Sequence, residues 1–132
     1  MGIVRTSIQL RNPTKPDLAP IHVEALADTG ALYLCIPEHV AIQLDLKELE
    51  RRELTFADGR KTMAAYVGPI EIAFENRRCF VGAMVIGDET LLGAIPMEDL
   101  DLVVHPATRT VVVNPASPNF ASGLAKATAV AL

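Results

Sequence analysis

The chain has 132 residues, half of them hydrophobic and 21% charged, with a net charge of −4 and a pI near 5.3. This is a globular composition with material for one modest core. The acidity, and the lack of any long run among twelve basic residues, argue against nucleic acid as a main partner. No stretch approaches the roughly eighteen apolar residues of a membrane span, so no membrane partner is expected.

The N-terminus enters a strand pattern directly and lacks the apolar core of a signal peptide, which makes a cytoplasmic location the expectation. Residues Ile3 to Leu10 place Val4, Ile8 and Leu10 on one side and read as a strand. Two prolines between Asn12 and Asp17 mark an exposed loop. From Pro20 to Ala27 the period is two again, with Ile21, Val23, Ala25 and Ala27 on one face, and this second strand ends at Asp28. The apolar run Leu32 to Ile36 reads as a buried strand. Pro37 to Leu44 has proline and an acid at its start and one apolar side, which predicts a short helix.

Asp45 to Arg52 is charged and either continues that helix or loops out. From Glu53 the period of two returns. Ala57-Asp58-Gly59-Arg60 lies between strand-like runs, and Asp-Gly there predicts a hairpin. Its return strand, Lys61 to Val67, meets a break or bend at Gly68-Pro69. Further strands are expected over Ile70 to Phe74, Cys79 to Ile86 and the segment closing at Leu92-Gly93. A one- or two-turn helix follows over Pro96 to Leu100, and a last hairpin pairs Asp101–His105 with Thr110–Val113. The pairs Arg51-Arg52 and Arg77-Arg78 sit beside acids and read as solvated faces. The expected class is therefore mainly β, a closed barrel or sandwich with one or two short helices. Residues 1–115 form the domain. Residues 116–132 are an Ala/Ser-rich tail expected to be mobile or loosely docked, with a weak helix-like pattern over Leu124 to Leu132.

Cys35 and Cys79 both lie in apolar runs and read as free buried thiols, with a disulfide or redox role as the other possibility. His22, His39 and His105 are isolated from one another and from both cysteines, so no metal or other cofactor is expected.

The chemistry concentrates at Asp28-Thr29-Gly30-Ala31. An apolar strand delivers one carboxylate to a tight turn, and another apolar run follows at once. A carboxylate in that setting needs hydrogen bonds, a partner or a task. Thr29 can bond into neighbouring backbone, and the small Gly30 and Ala31 allow close backbone approach. The plainer reading of Asp28 is a residue that merely starts a turn. Hydrolysis by carboxylates requires two of them about 3 Å apart, one protonated and one ionised. No other aspartate has this setting: Asp58 sits at a hairpin tip, and Asp99 and Asp101 flank a short polar helix.

The motif apolar-Ala27-Asp28-Thr29-Gly30-Ala31, followed at family-like separation by Leu91-Leu92-Gly93, resembles the single-domain, homodimeric retropepsin-type aspartic proteases. The resemblance covers residues 3 to 113. It implies a barrel protomer with a flap hairpin, Asp28 as the catalytic residue paired with its copy, and Thr29 bonded across a two-fold axis. Gly30 and Ala31 would permit the close approach of the loops. Leu92 and Gly93 would support the Asp28 loop from below, and Phe56, Ala57, Asp58, Gly59 and Arg60 would form the flap. The implied function is endopeptidase action on peptides or unfolded protein by a homodimer without cofactor. The alternative is a non-catalytic dimerisation or peptide-binding module, favoured by the charged flap tip. A redox-responsive protein is a further rival. That tip, and Ala94-Ile95-Pro96 where retroviral members carry Arg or Asn, make the pattern closest to the small bacterial-type members. Tyr66 is either a flap tyrosine or core packing.

Overall fold

The computed structural model describes residues 3–125; the helix-like pattern toward Leu132 lies largely outside them. In chain order the elements are β1 (Arg5–Arg11), β2 (Ile21–Ala27), β3 (Leu34–Ile36), α1 (Glu38–Gln43), β4 (Lys47–Thr55) and β5 (Lys61–Phe74). They continue with β6 (Arg77–Val85), β7 (Thr90–Leu92), α2 (Ala94–Asp99), β8 (Leu102–His105) and β9 (Thr110–Val113). The sheet runs β1-β2-β7-β3-β6-β5, and β1 also pairs with β5, which closes it into a six-stranded barrel. Closure removes the edges that an open sheet would expose. Of the barrel and the sandwich that the alternating patterns allow, the chain forms the closed mainly-β barrel with two short helices that the family resemblance implies.

The alternation works because each barrel strand buries one face. Ile8 and Leu10 of β1, Ala25 of β2, Ile70 and Ile72 of β5 and Leu92 of β7 are all at most 3% exposed and meet in one core. Burying a Leu or Ile side chain contributes about 1.5–3 kcal/mol, so this shared interior dominates the fold. Two non-neighbouring contributions matter for the site. Strand β7 lies parallel to β2, with Leu26 beside Leu91 and Ala27 beside Leu92, and antiparallel to β3, with Leu34 beside Leu92.

Several expectations are corrected. Lys47 to Arg52 is neither helix nor loop but the first part of β4, which pairs with β5 alone from Lys47 to Thr55. Its side chains are mostly exposed on both faces, so no apolar period marks it; the β5 ladder makes it a strand. Gly68-Pro69 does not end β5, whose 14 residues span it, and the irregularity is absorbed as a register shift against β6 between Val67 and Ile70. The Leu32–Ile36 strand shrinks to Leu34–Ile36, with Leu32 53% exposed. Asn12 is buried, not exposed: its Nδ2 donates to the Leu44 and Asp45 carbonyls at 2.9 and 3.3 Å, closing the C-terminus of α1.

Arg77 is likewise not a solvated residue. It is 1% exposed, 3.6 Å from Asp101, and donates to the Ser117 carbonyl. Asp101 accepts from Asn114 Nδ2 at 3.0 Å, from Ser117 Oγ, and from Ser122 N at 2.9 Å. These donors hold its carboxyl down at about 2. Asn76 Nδ2 donates to the Pro118 carbonyl at 2.9 Å. The chain from Asn114 to Ser122 is thus tied to the barrel. The β8–β9 hairpin forms as expected, as a separate two-stranded sheet beside α2 and β1. No helix among the described residues is long and apolar enough to cross a membrane.

Candidate active site

Strand β2 carries the chain to Asp28, whose N–H donates to the Leu92 carbonyl at 3.0 Å and so extends the β2–β7 ladder by one residue. The chain then turns sharply. Ala31 N–H donates to the Asp28 carbonyl at 3.1 Å, and Gly30 N–H donates to Asp28 Oδ1 at 2.9 Å. This is an Asx turn, in which the aspartate side chain imitates the backbone. A Cβ on residue 30 would stand 3.1 Å from Asp28 Oδ1, a tight fit that favours glycine. On the other side, Ala27 N–H donates to the Val4 carbonyl at 2.8 Å.

Gly93 fixes the turn from below. A Cβ there would fall 2.4 Å from the Tyr33 carbonyl oxygen and 2.8 Å from that of Ala31. The absent side chain lets α2 begin against the turn: Ala94 and Ile95 N–H donate to the Ala31 and Leu32 carbonyls at 2.8 and 2.9 Å. These two bonds satisfy donors that a helix start otherwise leaves free, which is why α2 begins at Ala94 and not at Pro96. Asp28, Gly30, Ala31, Leu92 and Gly93 are therefore in one backbone-bonded unit. Thr29 lies exposed beside them, and its hydroxyl makes no hydrogen bond among the described residues. The turn is held by Asp28, Gly30 and β7, without the Thr29 side chain.

Two concavities meet at Gly30. One, of about 600 Å³, runs beneath the β4–β5 hairpin and is lined by Ala31, Leu32, Tyr33, Leu54, Phe56 and Leu91. Its far wall is Ile86-Gly87-Asp88-Glu89, the loop between β6 and β7. Acidic Glu53, Asp88 and Glu89 belong to its lining, which contains no basic side chain. Arg5 pairs with Glu89 at 2.7 Å. The other concavity, about 900 Å³, contains Asp28 and Thr29 together with apolar Ile3, Val4, Leu26, Met97 and Val104.

Of the expected flap, Phe56 lines the groove, while Ala57, Asp58, Gly59 and Arg60 form the exposed turn beyond it. Gly59 takes φ +88°, Phe56 N–H donates to the Arg60 carbonyl at 2.8 Å, and Asp58 pairs with Arg60 at 2.7 Å. The Arg60 backbone N–H, and after it the Arg60 side chain, lower the Asp58 pKa. Tyr66 is not at this tip; it lies half-buried at the hairpin's root beneath Arg52, 3.8 Å from the guanidinium carbon to the ring centroid.

Nothing in the sequence marks the loop Ile86–Glu89 or Tyr33 as lining the groove. The Gly87-Asp88 turn after an apolar strand was the available signal, and it marks a loop without saying what the loop faces. Cys35 and Cys79 are free, and burial raises both thiol pKa values, that of Cys79 to about 12 with help from Asp99. Thiols held protonated are poor nucleophiles. Among the described residues no three His, Cys, Asp or Glu side chains are grouped to hold a metal ion.

No protein-family profile and no curated protein sequence matches the chain. Among solved structures it is similar to EIAV protease complexed with the inhibitor HBY-793, at a TM-score of 0.54 and 18% identity, over 75% of this chain and 88% of that one. At this identity the likeness concerns architecture, and with the closed barrel and the Asp28 turn on β7 it establishes a retropepsin-like fold.

Proposed function

We propose that the protein is an aspartic endopeptidase whose site is completed by a second copy of the chain. The observation that carries this reading is the Asp28 turn. It exposes a carboxylate in the apolar concavity that meets the groove at Gly30, with the Asp28 N–H bonded to β7 and the Ala31 and Leu32 carbonyls bonded to the start of α2. A side chain needed only for the turn would not require such close packing beneath it.

The apolar face that includes Asp28 and Thr29 supports an isologous interface, because a two-fold axis beside the turn brings each Asp28 to its copy. In that pair, one carboxyl keeps a proton and the other is ionised. The ionised group takes a proton from water as the water oxygen bonds to the scissile carbonyl carbon. The protonated group polarises the carbonyl oxygen, and the C–N bond breaks as the leaving nitrogen receives a proton from the dyad. The free Thr29 hydroxyl is available to bond across the axis. Leu54, Thr55 and Phe56 would cover an extended peptide and exclude water. The charged tip and Ala94-Ile95-Pro96 support grouping the chain with the small bacterial-type members of this fold.

The second reading, a non-catalytic peptide-binding or dimerisation module, draws on the same tip: Asp58 and Arg60 satisfy each other instead of reaching into the groove. Incubation with a denatured protein between about pH 3 and 7, beside Asp28→Asn, separates the two. Cleavage that Asp28→Asn abolishes is expected. A dimer that binds the substrate and leaves it intact across that range establishes the module instead.

A further inference from the structure

The β4–β5 hairpin is supported along only part of its length. Strand β6 accompanies β5 from Phe74 beside Arg77 up to Tyr66 beside Met84, and no further. Beyond Tyr66, residues Lys61 to Ala65 pair only with Arg51 to Thr55 of β4. About five residues per strand, roughly 17 Å, therefore extend past the end of the β6 ladder as a two-stranded arm, of which only Ala64 and Ala65, nearest the root, pack on the core. Leu54, Thr55 and Phe56 on this arm roof the groove. A two-stranded ribbon alone is marginal in water, so its angle over the groove must be set at its root.

At that root the Arg52 guanidinium carbon lies 3.8 Å from the Tyr66 ring centroid and 5.7 Å from that of Tyr33. The two rings meet edge-on, 6.0 Å apart at 63°. Glu50 accepts from Arg52 Nε at 2.6 Å and fixes the guanidinium plane. On its far side Tyr66 lies across Gly82 of β6, where a Cβ would fall 2.1 Å from Tyr66 Cζ and 2.2 Å from its hydroxyl oxygen. The glycine is a seat for the phenol. Tyr33 lines the groove and packs its carbonyl against Gly93, below the Asp28 turn. Three side chains and one glycine thus join both strands of the arm, the barrel wall and the segment leaving the turn. A planar cation stacks on aromatic faces while staying hydrated at its edge, and swinging the arm outward shears that stack.

We propose that Arg52, Tyr66, Tyr33 and Gly82 form a hinge latch that holds the β4–β5 arm over the groove, making them positioning residues for an extended peptide bound there. The latch's use in hydrolysis rests on the protease reading; the latch itself does not.

Hydrogen exchange with mass spectrometry on the full-length protein reads the latch without reference to activity. Arg52→Ala is expected to speed exchange across residues 53–65 about fivefold while β1, β2 and β7 keep their protection. Arg52→Lys keeps the charge but not the plane, and recovers little of it. Gly82→Ala displaces the Tyr66 ring and produces the same local signature by an independent route. In a peptidase assay the same variants raise KM more than they lower kcat. Unchanged exchange over 53–65 in both Arg52→Ala and Gly82→Ala overturns the latch, as does exchange raised equally throughout the barrel. A wild-type protein without peptidase activity counts against the protease reading, and the exchange data still decide the latch.

Discussion

Replacing Gly93 by alanine tests whether the Asp28 turn is held by close backbone contact. Gly93 has φ −85° and ψ −172°, an extended conformation that alanine adopts freely, so conformational preference contributes almost nothing. Its Cβ would stand 2.4 Å from the Tyr33 carbonyl oxygen and 2.8 Å from Ala31 O and Leu32 C, roughly an ångström inside ordinary contact. All three are backbone atoms, so no rotamer change relieves the clash. The chains must part, and the bonds from Ala94 and Ile95 to Ala31 and Leu32 are the ones at risk. Losing both costs about 2 kcal/mol net, and the displaced packing about 1–2 kcal/mol more. A total of about 3–4 kcal/mol corresponds to a fall in Tm of about 10–15 °C for a chain of this size. Urea unfolding followed by circular dichroism measures it, with Gly123→Ala, which meets nothing within 4 Å, as the control. A Gly93→Ala protein within about 0.5 kcal/mol of wild type would refute the reasoning.

Three other outcomes are expected. Asp101 is held at about 2 by Ser117, Asn114 and the Ser122 amide. Its folded-state pKa is depressed, so its contribution is present above the ordinary aspartate range and is lost as pH falls through about 2. Urea midpoints measured from pH 5 to 2 should therefore fall less steeply in Asp101→Asn than in wild type; parallel curves would contradict this. Arg77→Ala removes a buried cation from Asp101 and Ser117 and should cost about 3 kcal/mol, whereas an unchanged urea midpoint would mean that this knot contributes nothing. Cys79, pushed up to about 12, and Cys35, raised by burial, should react slowly with a disulfide reagent near pH 8 in the native protein and rapidly in urea; fast labelling of the folded chain would revive a thiol-based role.

How legible these features were depended on whether a residue's role is local. Val4, Ile8 and Leu10 could be read as one face because each has the core on one side and water on the other. Asp28-Thr29-Gly30 and Leu91-Leu92-Gly93 were legible as landmarks because close backbone approach restricts residue type wherever it occurs. Strand β4 was not, since both its faces are mostly wet and its partner alone makes it a strand. Arg77 looked solvated because burying a guanidinium depends on Asp101 and Ser117, which arrive only with the fold. Tyr66 could not be placed, because its neighbours Arg52 and Gly82 come from the strands on either side of it. The groove wall at Ile86–Glu89 is hidden in the sequence for the same reason. A loop's sequence shows that it turns, not what it turns toward.

The central claim is that Asp28 is half of a site, and mixing experiments test it most directly. Wild-type protein and Asp28→Asn are unfolded together, refolded at constant total concentration and assayed on a denatured substrate. If catalysis needs both carboxylates of a two-fold pair, an equal mixture retains about one quarter of the all-wild-type activity, because only that fraction of dimers carries two aspartates. Retention of one half would mean that each chain acts alone, and would contradict the account.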